Sequence, residues 1–188
     1  MSRKNSAKER ILETASRLFY QQGFNSTGIN QIIAEAGIAI GSLYKHYQSK
    51  NDLLYHYLLE QEKEYFINLD SYLENEEQPL EKLYKLIDYC IKYQQEAGYS
   101  GCHFIKINSE IGREDERITQ LVVEHKMKQR AFIHALVDKI DQTQKLTMEK
   151  DSLVNTIFLM IEGSVVSANI HGNTDDLKAV KEIISQLF

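Results

Sequence analysis

Apolar residues along this chain recur mostly three and four positions apart, and few segments alternate with a period of two. That spacing lays one apolar stripe along a helix. Ile11, Ala15, Leu18, Phe19 and Gln22 give the inner face of a first helix over Ala7 to Gln22, with Ser6 and Glu9 spaced as a capping box. Ile29, Ile32, Ile33 and Ala36 predict a short second helix that ends at Gly37, where a left-handed residue turns the chain sharply. A third helix carries Leu43 and Tyr47 on one side and the small residues Ala39, Gly41 and Ser42 on the other. Ser49-Lys50-Asn51-Asp52 is a second capping pattern, opening a long fourth helix through Leu53, Leu54, Tyr57, Leu58 and Tyr65 towards Tyr72.

The polar stretch 73–78 closes that helix before Pro79, a residue favoured in a first turn. Leu80, Leu83, Ile87, Cys90 and Ile91 predict a fifth helix ending near Gly98, and a short sixth element runs from Gly101 to about Gly112. A seventh helix is expected from Arg113 to Asp141, burying Ile118, Leu121, Val122, His125, Phe132, Leu136 and Ile140. An eighth spans Thr147 to about His171 and a ninth Asp175 to Leu187. The chain thus reads as all-α with about nine helices. A three-helix head over residues 1–50 precedes a helical body over 51–188.

Two short helices joined at a glycine turn form a helix-turn-helix, whose second helix can enter a DNA major groove. Charge supports that use. The net charge of −5 divides unevenly: residues 1–50 hold seven Lys/Arg against three Asp/Glu, and residues 51–188 hold fifteen against twenty-four. A basic head on an acidic body suits a protein that approaches phosphate with one end only. At 43% hydrophobic and 26% charged, the 188-residue chain has a globular composition. Its apolar runs look too short to span a bilayer, and MSRKNSAKER lacks a secretory signal's apolar stretch. Cys90 and Cys102 suit a reducing cytoplasm better than a disulfide framework. No phosphate-cradling glycine loop, HExxH or metal-spaced Cys/His cluster occurs, so neither an enzyme nor a bound metal or cofactor is expected.

The segment resembles the DNA-binding core of the TetR family of transcriptional regulators. The matching residues are Gly23-Phe24, Thr27, Ile32 to Ala34, Ala36-Gly37-Ile38, Gly41, Leu43-Tyr44, His46-Tyr47, Ser49-Lys50 and Leu53-Leu54. The likeness covers roughly the first 60 residues, and beyond Tyr65 it is architectural only. It implies a body that binds a small-molecule effector and dimerises, with repression as the usual mode.

Within that frame Ala39, Ile40, Gly41, Ser42 and Lys45 are the candidate base readers. Gly41 lets the backbone press against the duplex, Ser42 can hydrogen-bond a base, Ile40 or Ala39 can touch a thymine methyl, and Lys45 can reach a guanine or a phosphate. Tyr44 and His46 are candidate phosphate contacts. So are Thr27 and Lys50, which open the second and fourth helices, where free amides favour an anion. Family members often carry a hydroxyl residue where Ala39 stands and a polar one where Ile40 stands, so direct hydrogen bonding to bases is thin here.

One head buries little surface, so a homodimer on a palindromic operator is expected. Leu153, Ile157, Ile161, Val165 and Ala168, with Ile183, Ile184 and Leu187, are the candidate interface, although an intrachain core accounts for the same residues. Tyr93, Cys102, Phe104, His125, Phe132 and Phe158 are candidates for an effector pocket. Cys102 also admits a thiol-sensor reading beside that of an inert buried cysteine. The competing interpretation is a helical ligand-binding or protein-interaction module that does not use DNA. Such a module would show no salt-dependent DNA affinity.

Overall fold

The computed structural model describes residues 6–143 and 145–188. Arg3 and Lys4, which contribute to the basic head charge, lie outside them. Among the described residues there are nine helices and no strand: α1 (Ala7–Gln22), α2 (Ile29–Ala36), α3 (Ile40–His46), α4 (Lys50–Leu73), α5 (Pro79–Glu96), α6 (His103–Ile111), α7 (Glu116–Asp141), α8 (Lys150–His171) and α9 (Asp175–Leu187). Two compact units arise, Met1–Lys63 with His103–Val122, and Glu64–Cys102 with Val123–Phe188. They are drawn differently from the expected segments 1–50 and 51–188, because α6 and the start of α7 fold with the head.

In the first unit α1 packs on α2 and α3, burying Ile11, Ala15, Leu18 and Phe19 together with Ile32, Ala36 and Leu43. Phe19 meets the rings of Phe24 and Tyr57 at 5.4 and 5.7 Å. The capping box forms as the sequence implies: Ser6 Oγ accepts from the Glu9 N–H (3.2 Å) and Glu9 Oε2 from the Ser6 N–H (2.7 Å). At the start of α4, Ser49 Oγ accepts from Asp52 N–H, but the Asp52 carboxylate reaches Gln48 N–H instead of Ser49.

The second unit has its own core. Leu69 and Leu73 of α4, Leu83 and Ile87 of α5, Ile133 and Val137 of α7, Leu153 and Ile157 of α8, and Leu177 and Ile184 of α9 meet in one cluster. Two helices begin three residues later than their apolar pattern suggests, each because a carboxylate caps it. Asp115 Oδ1 accepts from the Ile118 N–H, so α7 starts at Glu116 and not at Arg113. Glu149 accepts from the N–H groups of Asp151 and Ser152, so α8 starts at Lys150 and not at Thr147. By length and composition α8 is apolar enough to cross a membrane, contrary to the sequence reading. Its inward side chains fill the second core, while the apolar Leu159, Val166 and Ile170 stay exposed.

Candidate nucleic-acid interface

The turn between α2 and α3 is made by Gly37, left-handed at φ 62°, whose N–H returns to the carbonyls of Ala34 and Ile33. Leu43 and Tyr47 then pin α3 inward, both without exposed surface. The Tyr47 hydroxyl donates to Lys8 O at 3.4 Å, and burial pushes its pKa up to about 12. With that side committed, α3 presents Ala39, Ile40, Gly41, Tyr44 and Lys45 exposed, and Ser42 and His46 half-buried. All seven recognition-segment candidates therefore face or border solvent on one short helix. Ala39 occupies the N-cap without a side-chain hydrogen bond, as its methyl group dictates.

Gly41 has no internal reason to be glycine. Its φ is not positive, and a Cβ built there meets nothing within 4 Å. Gly41 lies in the first turn of α3, directly after the Ala39 N-cap and Ile40, and the bare backbone there leaves room for close approach from outside the chain.

Two expected phosphate contacts have hydrogen-bond partners within the head. Thr27 is buried, its hydroxyl donating to Gly23 O (2.7 Å) and accepting from Gln22 Nε2 (3.2 Å), so its side chain fixes the α1–α2 turn. Lys50 is half-buried, with Nζ donating to Phe24 O at 2.5 Å and lying 4.0 Å from the Phe24 ring centroid. Burial lowers the Lys50 pKa, and the charge of Glu110 opposes that shift. Its ammonium thereby ties the start of α4 to the same turn.

Glu110 is the residue that sequence reasoning missed. Its Oε2 accepts from the Asn25 N–H (2.8 Å), and its carbonyl accepts from Asn25 Nδ2 (3.0 Å). Gly23, at φ 86°, leaves the carboxylate its room, since a Cβ there would lie 2.8 Å from Glu110 Oε1. Nearby Asn51 Nδ2 donates to Asp115 Oδ2 (3.2 Å), and Arg117 pairs with Asp52 (3.0 Å). His103 hydrogen-bonds the Tyr57 hydroxyl and stacks on Tyr20 at 5.0 Å. No local pattern announces these pairs, whose partners stand 46 to 85 residues apart.

Comparison with known proteins agrees with this geometry. Residues 11–57 match the family model described as bacterial regulatory proteins, tetR family, and residues 79–184 match the Tetracyclin repressor-like C-terminal domain. The chain belongs to the TetR family. Its HTH-type relative YxaF of Bacillus subtilis (strain 168) is 44% identical over 54 residues, 29% of this chain and 28% of that protein. The chain thus spans under a third of the length of such curated relatives. A TetR-family regulator from Agrobacterium tumefaciens superimposes with a TM-score of 0.82 at 23% identity, covering 96% of this chain and 97% of that one. SCO4454, a TetR-family regulator from Streptomyces coelicolor, gives 0.84 at 19% identity over 96% and 95%. At these identities the structural likeness shows the fold.

The TetR-family body holds most of the expected pocket residues in the second unit. Tyr65, which the sequence reading did not select, sits edge-on to His125 (5.5 Å) and Tyr93 (6.4 Å). Burial raises the Tyr65 pKa well above its ordinary value, yet the residue keeps some accessible surface. Lys126 Nζ lies 3.4 Å from Cys102 Sγ and pairs with Glu162 at 2.8 Å. Phe132 is half-buried, and Phe158 lies under the Arg130 guanidinium at 4.2 Å. Phe104 belongs to the first unit and is buried there, so it leaves the pocket set. Cys90 is buried and its thiol is pushed up to about 12, the signature of an inert cysteine.

The expected dimer residues need the largest correction. Leu153, Ile157, Ile161, Val165, Ala168 and Ile184 are all buried inside the single chain. A side chain already covered has no surface left for a partner. Ile183 is exposed and Leu187 half-buried. The apolar surface of α8 lies on its other face: Leu159 is 62% exposed and Ile170 71%, with Gly163 and Val166 exposed between them.

Proposed function

We propose that this TetR-family regulator is a homodimeric repressor acting in the cytoplasm, bound to a palindromic operator and released by a small-molecule effector. Residues 1–50 read DNA, and residues 51–188 dimerise and take the effector. The observation that carries this reading is the open position at Gly41, on a helix whose other side is fully committed to the core. Base edges then meet Ile40, Gly41, Ser42 and Lys45, while Tyr44 and His46 border them as phosphate contacts.

Dimerisation uses Leu159, Gly163, Val166 and Ile170 of α8 with Ile183 of α9. Positions 159, 163, 166 and 170 follow helical spacing along one stripe, and a Cβ at Gly163 meets nothing within 4 Å in the single chain. A second copy covering that stripe buries apolar surface that a lone chain leaves in water. The effector enters the second unit near Tyr65, Tyr93, Cys102, Lys126 and Glu162, where aromatic rings and an ion pair offer both packing and orientation. Effector binding favours a spacing of the two heads that no longer fits successive major grooves. Helix α4, whose residues belong to both units, carries the shift.

Selection of bound duplexes from a random pool tests the reading. The expected product is a palindrome with half-sites about one DNA turn apart, roughly 34 Å. Two chains bind each duplex, and affinity falls steeply with salt. A screen for compounds that release that duplex then finds the effector class. Enrichment of no sequence, or binding indifferent to salt, overturns the proposal.

A further inference from the structure

Helix α3 keeps two large, mainly apolar side chains in water: Ile40 is 55% exposed and Tyr44 50%. They stand four positions apart and so share one flank of the helix. Leu43 is fully buried, which prevents the helix from rolling to cover them. The adjoining positions are Gly41, with open space where a Cβ would be, and the exposed Lys45. A single exposed leucine or isoleucine on a surface is ordinary. This pair sits on the one element that the operator-reading proposal places in the major groove, and the head's excess of cations complements DNA.

The edges of base pairs in the major groove present donors, acceptors and one apolar group, the C5 methyl of thymine. Ile40 has no hydrogen-bonding atom, so it cannot choose a base by donor or acceptor pattern. We infer that Ile40, flanked by the Tyr44 ring, reads thymine methyl groups, and that these methyls are a principal determinant of operator sequence. The inference deepens the operator-binding proposal and rests on it. Ser42 and Lys45 supply the remaining polar contacts. Covering one methyl-sized group is worth about fourfold in affinity.

The test replaces each thymine of the selected operator singly by uracil, which removes the methyl and leaves pairing and the O4 acceptor unchanged. Equilibrium binding of the full chain is expected to weaken about fourfold at one or two positions in each half-site, symmetrically. Ile40→Ala is expected to bind those substituted and unsubstituted operators alike, while Ile40→Val keeps most of the sensitivity. A flat uracil profile, or a profile unchanged in Ile40→Ala, overturns the inference while the operator reading stands. Failure to select any operator overturns the operator reading itself, and this inference with it.

Discussion

Helices α3 and α8 use glycine in the same way on very different supports. α3 has seven residues, pinned by Leu43 and followed at once by the buried Tyr47, whereas α8 has twenty-two and runs through the second core. Each carries a glycine with open space at the Cβ position, Gly41 in the first turn of α3 and Gly163 midway along α8, and each has exposed apolar residues beside it, Ile40 and Tyr44 on α3 and Leu159, Val166 and Ile170 on α8. Gly23 is the contrast: its positive φ and its closeness to Glu110 give it a reason within the chain. A helical glycine that no internal neighbour requires marks a surface made for something else. On the basic head the proposed occupant is a duplex; on the acidic body it is a second copy.

The comparison breaks most readily on the α8 side. Leu159→Glu places a charge, and its symmetry mate, in the proposed interface. Sedimentation is expected to show a monomer, with the dimer dissociation constant raised at least about 100-fold. Urea stability of the isolated chain should stay unchanged, because Leu159 is exposed in it. A dimer that persists would move the interface off this stripe.

The α3 side is sharpened by what holds the first unit together. Burial, and then the charge of Lys106, push the His103 pKa down from 6.5 to about 4. The unfolded chain therefore takes up a proton between those values that the folded chain refuses. Stability is full above about pH 6.5 and falls as pH drops, by about 2 kcal/mol between neutral pH and pH 5. Urea titrations at the two pH values should show that loss, and His103→Gln should remove this component of the slope. An equal slope in the variant would assign the acid sensitivity elsewhere.

A smaller effect belongs to the α1–α2 turn. Glu110→Ala removes the acceptor for the Asn25 N–H and is expected to cost about 1 kcal/mol. Glu110→Gln keeps an acceptor and should restore most of it. Hydrogen exchange at the Asn25 amide reads the difference locally, and equal protection in all three proteins would remove Glu110 from this role.

Legibility in the sequence followed the range of the interactions. The capping box at Ser6 and Glu9, the Gly37 turn and the inward Leu43 and Tyr47 were readable, since each depends on residues within a few positions. The outward set on α3 followed once the inward pair was known. The intrachain partners of Thr27 and Lys50 were not readable, because they are a turn and a ring that only the folded head creates. Glu110 was invisible for the same reason, its partner lying 85 residues away. On α8, apolar residues surround the helix, so periodicity could not separate the core face from the exposed one. The starts of α7 and α8 were misplaced because Asp115 and Glu149 sit in polar runs where a cap is indistinguishable from an ordinary surface carboxylate.

The claim on which the account turns is that the open face of α3 is the surface that meets DNA. Gly41→Leu tests it most directly, by equilibrium binding to the selected operator beside thermal melting. Leucine is the better helix former and its Cβ would meet no neighbour, so the melting temperature should hold or rise. Operator affinity is expected to fall at least about 100-fold, because a bulky side chain holds the helix off the duplex. Full-strength operator binding by a well-folded Gly41→Leu protein would contradict the account.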